Sequence, residues 1–149
     1  MELKKLMVDT KAVWVDFPGL EGFSVEVVNL SRKELTGIRK KSTTTKFDRK
    51  TRQAVEELDD EKFVEEFTGA VIKNWKGLKL SYLEDLLLVD ISQEDPNKTL
   101  PYSVDNAQHL VSNSQEFDTW LNEVIFDLDN FRTGSKKSTT ETTKAVPAK

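Results

Sequence analysis

Phe63, Phe67, Val71 and Trp75 recur at every fourth position in a stretch that begins Asp59-Asp60-Glu61 and runs to Gly77. Large apolar side chains at that interval line one face of an α-helix, and acidic residues in its first turn complement the positive end of the helix dipole. The spacing therefore predicts a helix starting at Asp59 or Asp60, with Gly77 as its C-cap. Such a helix has to bury its stripe against something. A second stripe offers a partner: Phe117, Leu121, Val124, Leu128 and Phe131 alternate steps of four and three, so a helix is predicted over 115–131, with Trp120 and Ile125 widening its apolar face.

Strand signals precede these helices. Residues 12–17 (Ala-Val-Trp-Val-Asp-Phe) and 23–28 (Phe-Ser-Val-Glu-Val-Val) are rich in β-branched and aromatic residues, and Pro18-Gly19-Leu20-Glu21-Gly22 separates them. They read as a β-hairpin whose second strand turns Phe23, Val25 and Val27 to one face. Ser31 followed by Glu34 is a capping-box pattern, opening a short helix that ends near Lys41. Ser42-Thr43-Thr44-Thr45 reads as a loop, and 46–55 as either a strand or a first helical turn. Residues 78–91 are equally open, between a short helix at 81–89 and a buried strand from Leu86 to Ile91. Gln93 to Lys98 is a loop, and Ser103 caps a helix over 104–112.

The expected class is α+β: an N-terminal β-hairpin packed on a small, mainly helical domain over residues 1–131. A chain of 149 residues is long enough for one core of that kind. From 132 to 149 the composition turns to Ser, Thr and Lys, with Val146 the only sizeable apolar residue. That segment reads as a flexible, disordered tail, because it has too little apolar surface to offset the entropy of ordering.

Charge is segregated along the chain. Residues 31–52 carry nine Lys or Arg against Glu34 and Asp48, whereas 53–131 carry eighteen Asp or Glu against five Lys. Such a pattern means intramolecular pairing, a basic arm that seeks an acidic partner, or simply two solvated faces of opposite sign. Within the basic stretch only Phe47 is aromatic, the chain as a whole has a net charge of −4, and no DNA-binding motif fits. These points argue against nucleic acid.

Catalytic signals are missing. The chain has no cysteine and one histidine, His109, so a zinc site or a Ser–His couple finds no support. His109 is expected on the surface of its helix or partly packed. The doublets Glu56-Glu57, Asp59-Asp60 and Glu65-Glu66 read as solvated helix charge, and Asp85, Asp90, Glu94 and Asp95 lack the spacing and central glycine of a calcium loop. With no phosphate-cradling glycine motif either, the reading is a non-enzyme without catalytic, cofactor or metal residues. Apolar runs such as Leu86-Leu87-Leu88-Val89 are too short to cross a bilayer, and the opening Met1-Glu2-Leu3-Lys4-Lys5 has no apolar signal core. An intracellular protein is the expectation.

Several stretches, taken in order, resemble one family. Phe23-Ser-Val-Glu-Val-Val-Asn-Leu-Ser31-Arg-Lys-Glu-Leu35, then Glu57-Leu-Asp-Asp-Glu-Lys-Phe63 leading to Val71-Ile-Lys-Asn-Trp75-Lys-Gly-Leu78, then Leu100-Pro-Tyr-Ser-Val-Asp-Asn106 and the helix from Phe117 to Phe131 are similar to the tail assembly chaperones of long-tailed, siphovirus-type bacteriophages. The likeness covers about residues 12–131. It implies a protein of the host cytoplasm, absent from the mature virion, that coats and solubilises the tape measure protein and helps bring tail tube subunits to it. It also implies a longer form made by frameshifting near the C-terminus, with which Lys136-Lys137 is compatible, and it leaves room for self-association. On this reading the partner-binding residues are Trp75, Phe117, Trp120, Leu121, Val124, Leu128 and Phe131. The same features suit two alternatives: a structural or tail-completion virion protein, or a phage regulatory protein that acts by binding a partner.

Overall fold

The computed structural model describes residues 1–8 and 11–132, and within them the architecture is α+β. The expected flexible tail lies outside the described residues from Thr133 onward. In chain order the first elements are α1 (Leu3–Leu6), β1 (Val13–Asp16), β2 (Ser24–Val27), α2 (Arg32–Lys41), β3 (Thr43–Asp48) and β4 (Gln53–Leu58). Then follow α3 (Asp60–Val71), β5 (Ile72–Lys76), α4 (Leu80–Leu86), α5 (Val104–Asn113), α6 (Gln115–Phe126) and a 3-10 turn at Leu128–Phe131.

The expected hairpin forms, with Val13 opposite Val27 and Asp16 opposite Ser24. Alternation along β2 puts Phe23, Val25 and Val27 wholly inside, and Ser24 donates a hydrogen bond to Asp16 Oδ1 at 2.5 Å. The hairpin is not the whole sheet. β5 pairs antiparallel with β2, Trp75 opposite Val25 and Lys76 opposite Ser24, which makes β2 the central strand of three.

That third strand corrects the expected helix from Asp59 to Gly77. The helix ends at Val71, and the last member of the four-residue series, Trp75, lies in a strand. The physical reason is the open edge of β2: its backbone groups are satisfied once Ile72–Lys76 extends beside it, and buried groups of that kind are rarely left unpaired. Gly77 is accordingly not a helix cap. Its φ of +74° ends a strand, and its α-carbon passes so close to Gly22 that a β-carbon there would sit 2.0 Å from the Gly22 carbonyl oxygen.

Two further expectations change. Ser42 to Thr45 is no loop: β3 begins at Thr43 and forms with β4 a separate two-stranded ribbon, which also settles 46–55 as strand–turn–strand. The predicted helix over 115–131 stops at Phe126. Asp127 then caps the 3-10 turn by accepting the Asp129 N–H, and Asn130 donates to the Val124 carbonyl, so short polar side chains take over the backbone partners that a continuing helix would use. In 78–91 the open choice resolves as helix α4, with no strand from Leu86 to Ile91.

The expected caps at Ser31 and Ser103 form, α3 starts where expected, and Ser114 adds a cap on α6 that was not expected. Ser31 and Glu34 form a reciprocal capping box on α2, while Asp59, Ser103 and Ser114 each accept a backbone N–H at the start of α3, α5 and α6. The core is the contact zone between the apolar face of the sheet and these helices. Phe23, Phe117, Ile72, Leu78, Leu121 and Ile125 are its largest fully buried side chains. Polar tethers cross it: Asn29 donates to the Ile125 carbonyl at 2.7 Å, Tyr102 to Ile72 at 3.2 Å, and Trp75 Nε1 to Leu100 at 3.0 Å.

Candidate functional site

The seven residues expected to bind a partner do not form one surface. Trp75 is buried in the sheet, edge-on to Tyr102 at 5.3 Å. Phe117 and Leu121 are fully buried and Val124 is 8% exposed. All four are core residues, and a partner cannot reach them in this fold. Trp120 and Phe131 are half-buried and Leu128 is exposed. The cause is plain from packing: Phe117 stacks on Phe17 at 6.0 Å and on Phe23 at 6.3 Å, so the apolar stripe of α6 is consumed by the sheet.

What remains open is a crevice of about 510 Å³ between four helices. Leu35 and Arg39 of α2, Phe63, Val64 and Phe67 of α3, Val111 of α5, and Asp118, Asn122 and Phe126 of α6 line it. Its floor is apolar: Phe63 and Phe67 stack at 5.8 Å, and Phe126 stays 44% exposed beside them. Its rim carries opposite charges. The Arg39 guanidinium stands 6.0 Å from the centre of the Phe63 ring, and Asp118 of α6 lines the same crevice. Burial raises the Asp118 carboxyl above its ordinary value, against the opposing effect of the hydrogen bond that Asn122 donates to it at 3.2 Å. Sequence reading assigned Phe63 and Phe67 to the core and passed over Leu35, Arg39 and Phe126. The signal available for Phe126 was its place just off the main stripe of α6, flanked by the acidic Asp127.

A second, smaller cleft of about 410 Å³ lies at the other side of α6, where Phe17 and Pro18 meet Glu116, Thr119, Trp120 and Glu123. Here the Trp120 ring leans on Phe17 at 4.9 Å, and both carboxylates are exposed. Trp120 is the one expected partner-binding residue that lines either opening.

Among the described residues no three His, Cys, Asp or Glu side chains converge as a metal set, and no helix is long and apolar enough to cross a membrane. His109 sits exposed on α5 with Nε2 3.6 Å from Asp105. No protein-family model, curated protein or solved structure matches the chain.

Proposed function

We propose that the protein is a non-enzymatic carrier for an amphipathic helical segment, acting as a bacteriophage tail assembly chaperone. Its client on this reading is the tape measure protein, with tail tube protein as a second partner, in the host cytoplasm. The observation that supports it is the four-helix crevice. An apolar floor of Phe63, Phe67, Val64 and Phe126, flanked by Arg39 and Asp118, suits a helix laid along it with apolar residues at every third or fourth position. The charges at the rim fix orientation and register, while the exposed acidic surfaces of α3 and α6 keep carrier and cargo in solution. An open crevice of this size gives modest affinity per copy. That agrees with a client that must be released to the growing tube, and with many copies acting along one long chain.

The test is co-expression with the tape measure protein of the same genome, followed by a solubility assay and co-purification. Wild-type protein is expected to keep the client soluble in a many-to-one complex. Phe126→Glu changes an exposed crevice residue and is expected to lose the client while its circular dichroism and melting temperature stay close to wild type. A client that stays insoluble with wild type, or that is retained equally by Phe126→Glu, would refute the crevice as carrier site.

A further inference from the structure

Among the described residues no further strand pairs with the β3–β4 ribbon. Four of the six β3–β4 pairs are exposed on both strands and the two end pairs are half-exposed only at Thr43 and Asp48, and neither strand packs extensively on any other element. Phe47 is 66% exposed, Val55 46% and Leu58 43%. Two-stranded ribbons are marginally stable in water, and both edges of this one present unpaired backbone groups. Its root is nonetheless fixed, because the Asp59 N–H donates to the Ser42 carbonyl at 2.8 Å and the Ser42 hydroxyl to Ile38 at 2.8 Å.

Charge is concentrated at its tip. Arg49, Lys50 and Arg52 are all exposed in the turn, which Asp48 closes by accepting the Lys50 N–H at 2.9 Å with its carboxylate and the Arg52 N–H at 2.7 Å with its carbonyl. Among the described residues these three cations have no ion-pair partner, while Lys46, lower on the ribbon, pairs with Glu57 at 3.0 Å. The complementary surface is on the same chain. Glu116 and Glu123 stand two turns apart on α6, on either side of Trp120, and among the described residues they too lack a cation. An aromatic wall between two carboxylates is what a guanidinium or ammonium group seeks, since it can stack on the indole and pair with an acid.

We propose that the basic tip of the β3–β4 ribbon of one copy docks in the Phe17–Trp120 cleft of a second copy, between Glu116 and Glu123. Ribbon and cleft are different surfaces, so the contact either closes reciprocally as a two-fold pair, each tip in the other copy's cleft, or repeats head-to-tail into a ring or an open chain of copies. Docking orders the ribbon and covers its apolar residues on the neighbour. The inference does not depend on the chaperone reading, since it concerns this chain alone.

Sedimentation velocity on the full chain tests it, over a concentration series in about 50 mM and about 500 mM salt, because exposed ion pairs weaken as screening increases. Concentration-dependent assembly is expected at low salt, with an association constant lower by roughly tenfold or more at high salt. Lys50→Glu with Arg52→Glu gives an acidic tip, and Glu116→Lys with Glu123→Lys a basic cleft. Each double variant alone is expected to be monomeric, and an equimolar mixture of the two to assemble again, since every tip then meets a cleft of opposite charge. A wild type that is monomeric throughout overturns the proposal, whether or not it binds a short DNA duplex as an alternative polyanion. Variants that still self-assemble overturn it in favour of edge-to-edge pairing of ribbons, and variants that do not assemble when mixed overturn it as well.

Discussion

Gly77 shows how much of this fold rests on one residue without a side chain. It holds a φ of +74° where β5 turns toward α4, and an added β-carbon would overlap the backbone of Gly22 at 2.0 Å. Both partners of that clash are main chain, so no rotamer change relieves it. Gly77→Ala is expected to cost more than about 3 kcal/mol, a large part of the roughly 5–15 kcal/mol that stabilises a domain. Gly69→Ala is the contrast. In α3 that site has open space around it, and alanine there is expected to add roughly 1 kcal/mol through helix propensity. Urea unfolding of both variants checks the pair: the midpoints should move in opposite directions from wild type with similar slopes. A Gly77→Ala midpoint equal to wild type would mean that the β2–β5 junction is far looser than its geometry.

At the scale of elements, the sheet and the ribbon differ in what holds them. β2 is paired on both sides and packed on helices, whereas the described hydrogen bonds that tie the β3–β4 ribbon to the rest lie at its root, through Ser42, Thr43 and Asp59. Replacing residues 43–58 by a short glycine linker should therefore leave the core intact, with a melting temperature within about 3 °C of wild type by calorimetry. A collapse of the transition would show that the ribbon supports the core after all. The same contrast explains what could be read from the sequence. Caps were legible where their chemistry is local: Ser31 with Glu34, Asp59 and Ser103 each announce a helix start, whereas Ser114 was passed over. β5 was not legible, because Trp75 continues the four-residue series Phe63, Phe67, Val71 of α3, and only the distant open edge of β2 decides for a strand. The ribbon was not either, since a strand without a buried face has no apolar alternation to display. The crevice was legible only in part. Phe63 and Phe67 stood out as an apolar stripe, but their half-open position depends on how α2 and α6 flank them, which no local pattern encodes.

For the molecule as a whole, the segregation of charge along the chain has no counterpart in the core. The described ion pairs, Glu2–Lys5, Lys46–Glu57, Glu94–Lys98, Asp105–His109 and Asp129–Arg132, all lie on the surface with side chains about half or more exposed. Pairs of that kind each contribute roughly 0–1 kcal/mol and are screened by salt. Folding is carried instead by the buried face of the sheet and the apolar stripes of α3, α5 and α6. Two properties of one protein should then separate along a single variable. Thermal unfolding of a dilute solution, followed by circular dichroism, is expected to shift by less than about 2 °C between roughly 50 mM and 500 mM salt, because surface pairs and surface repulsion weaken together. Contacts between copies that rest on exposed charge fall over the same range. A melting temperature that dropped steeply with salt would place ion pairing inside the stability of the fold, and the acidic 53–131 region would then be a structural feature rather than a surface one.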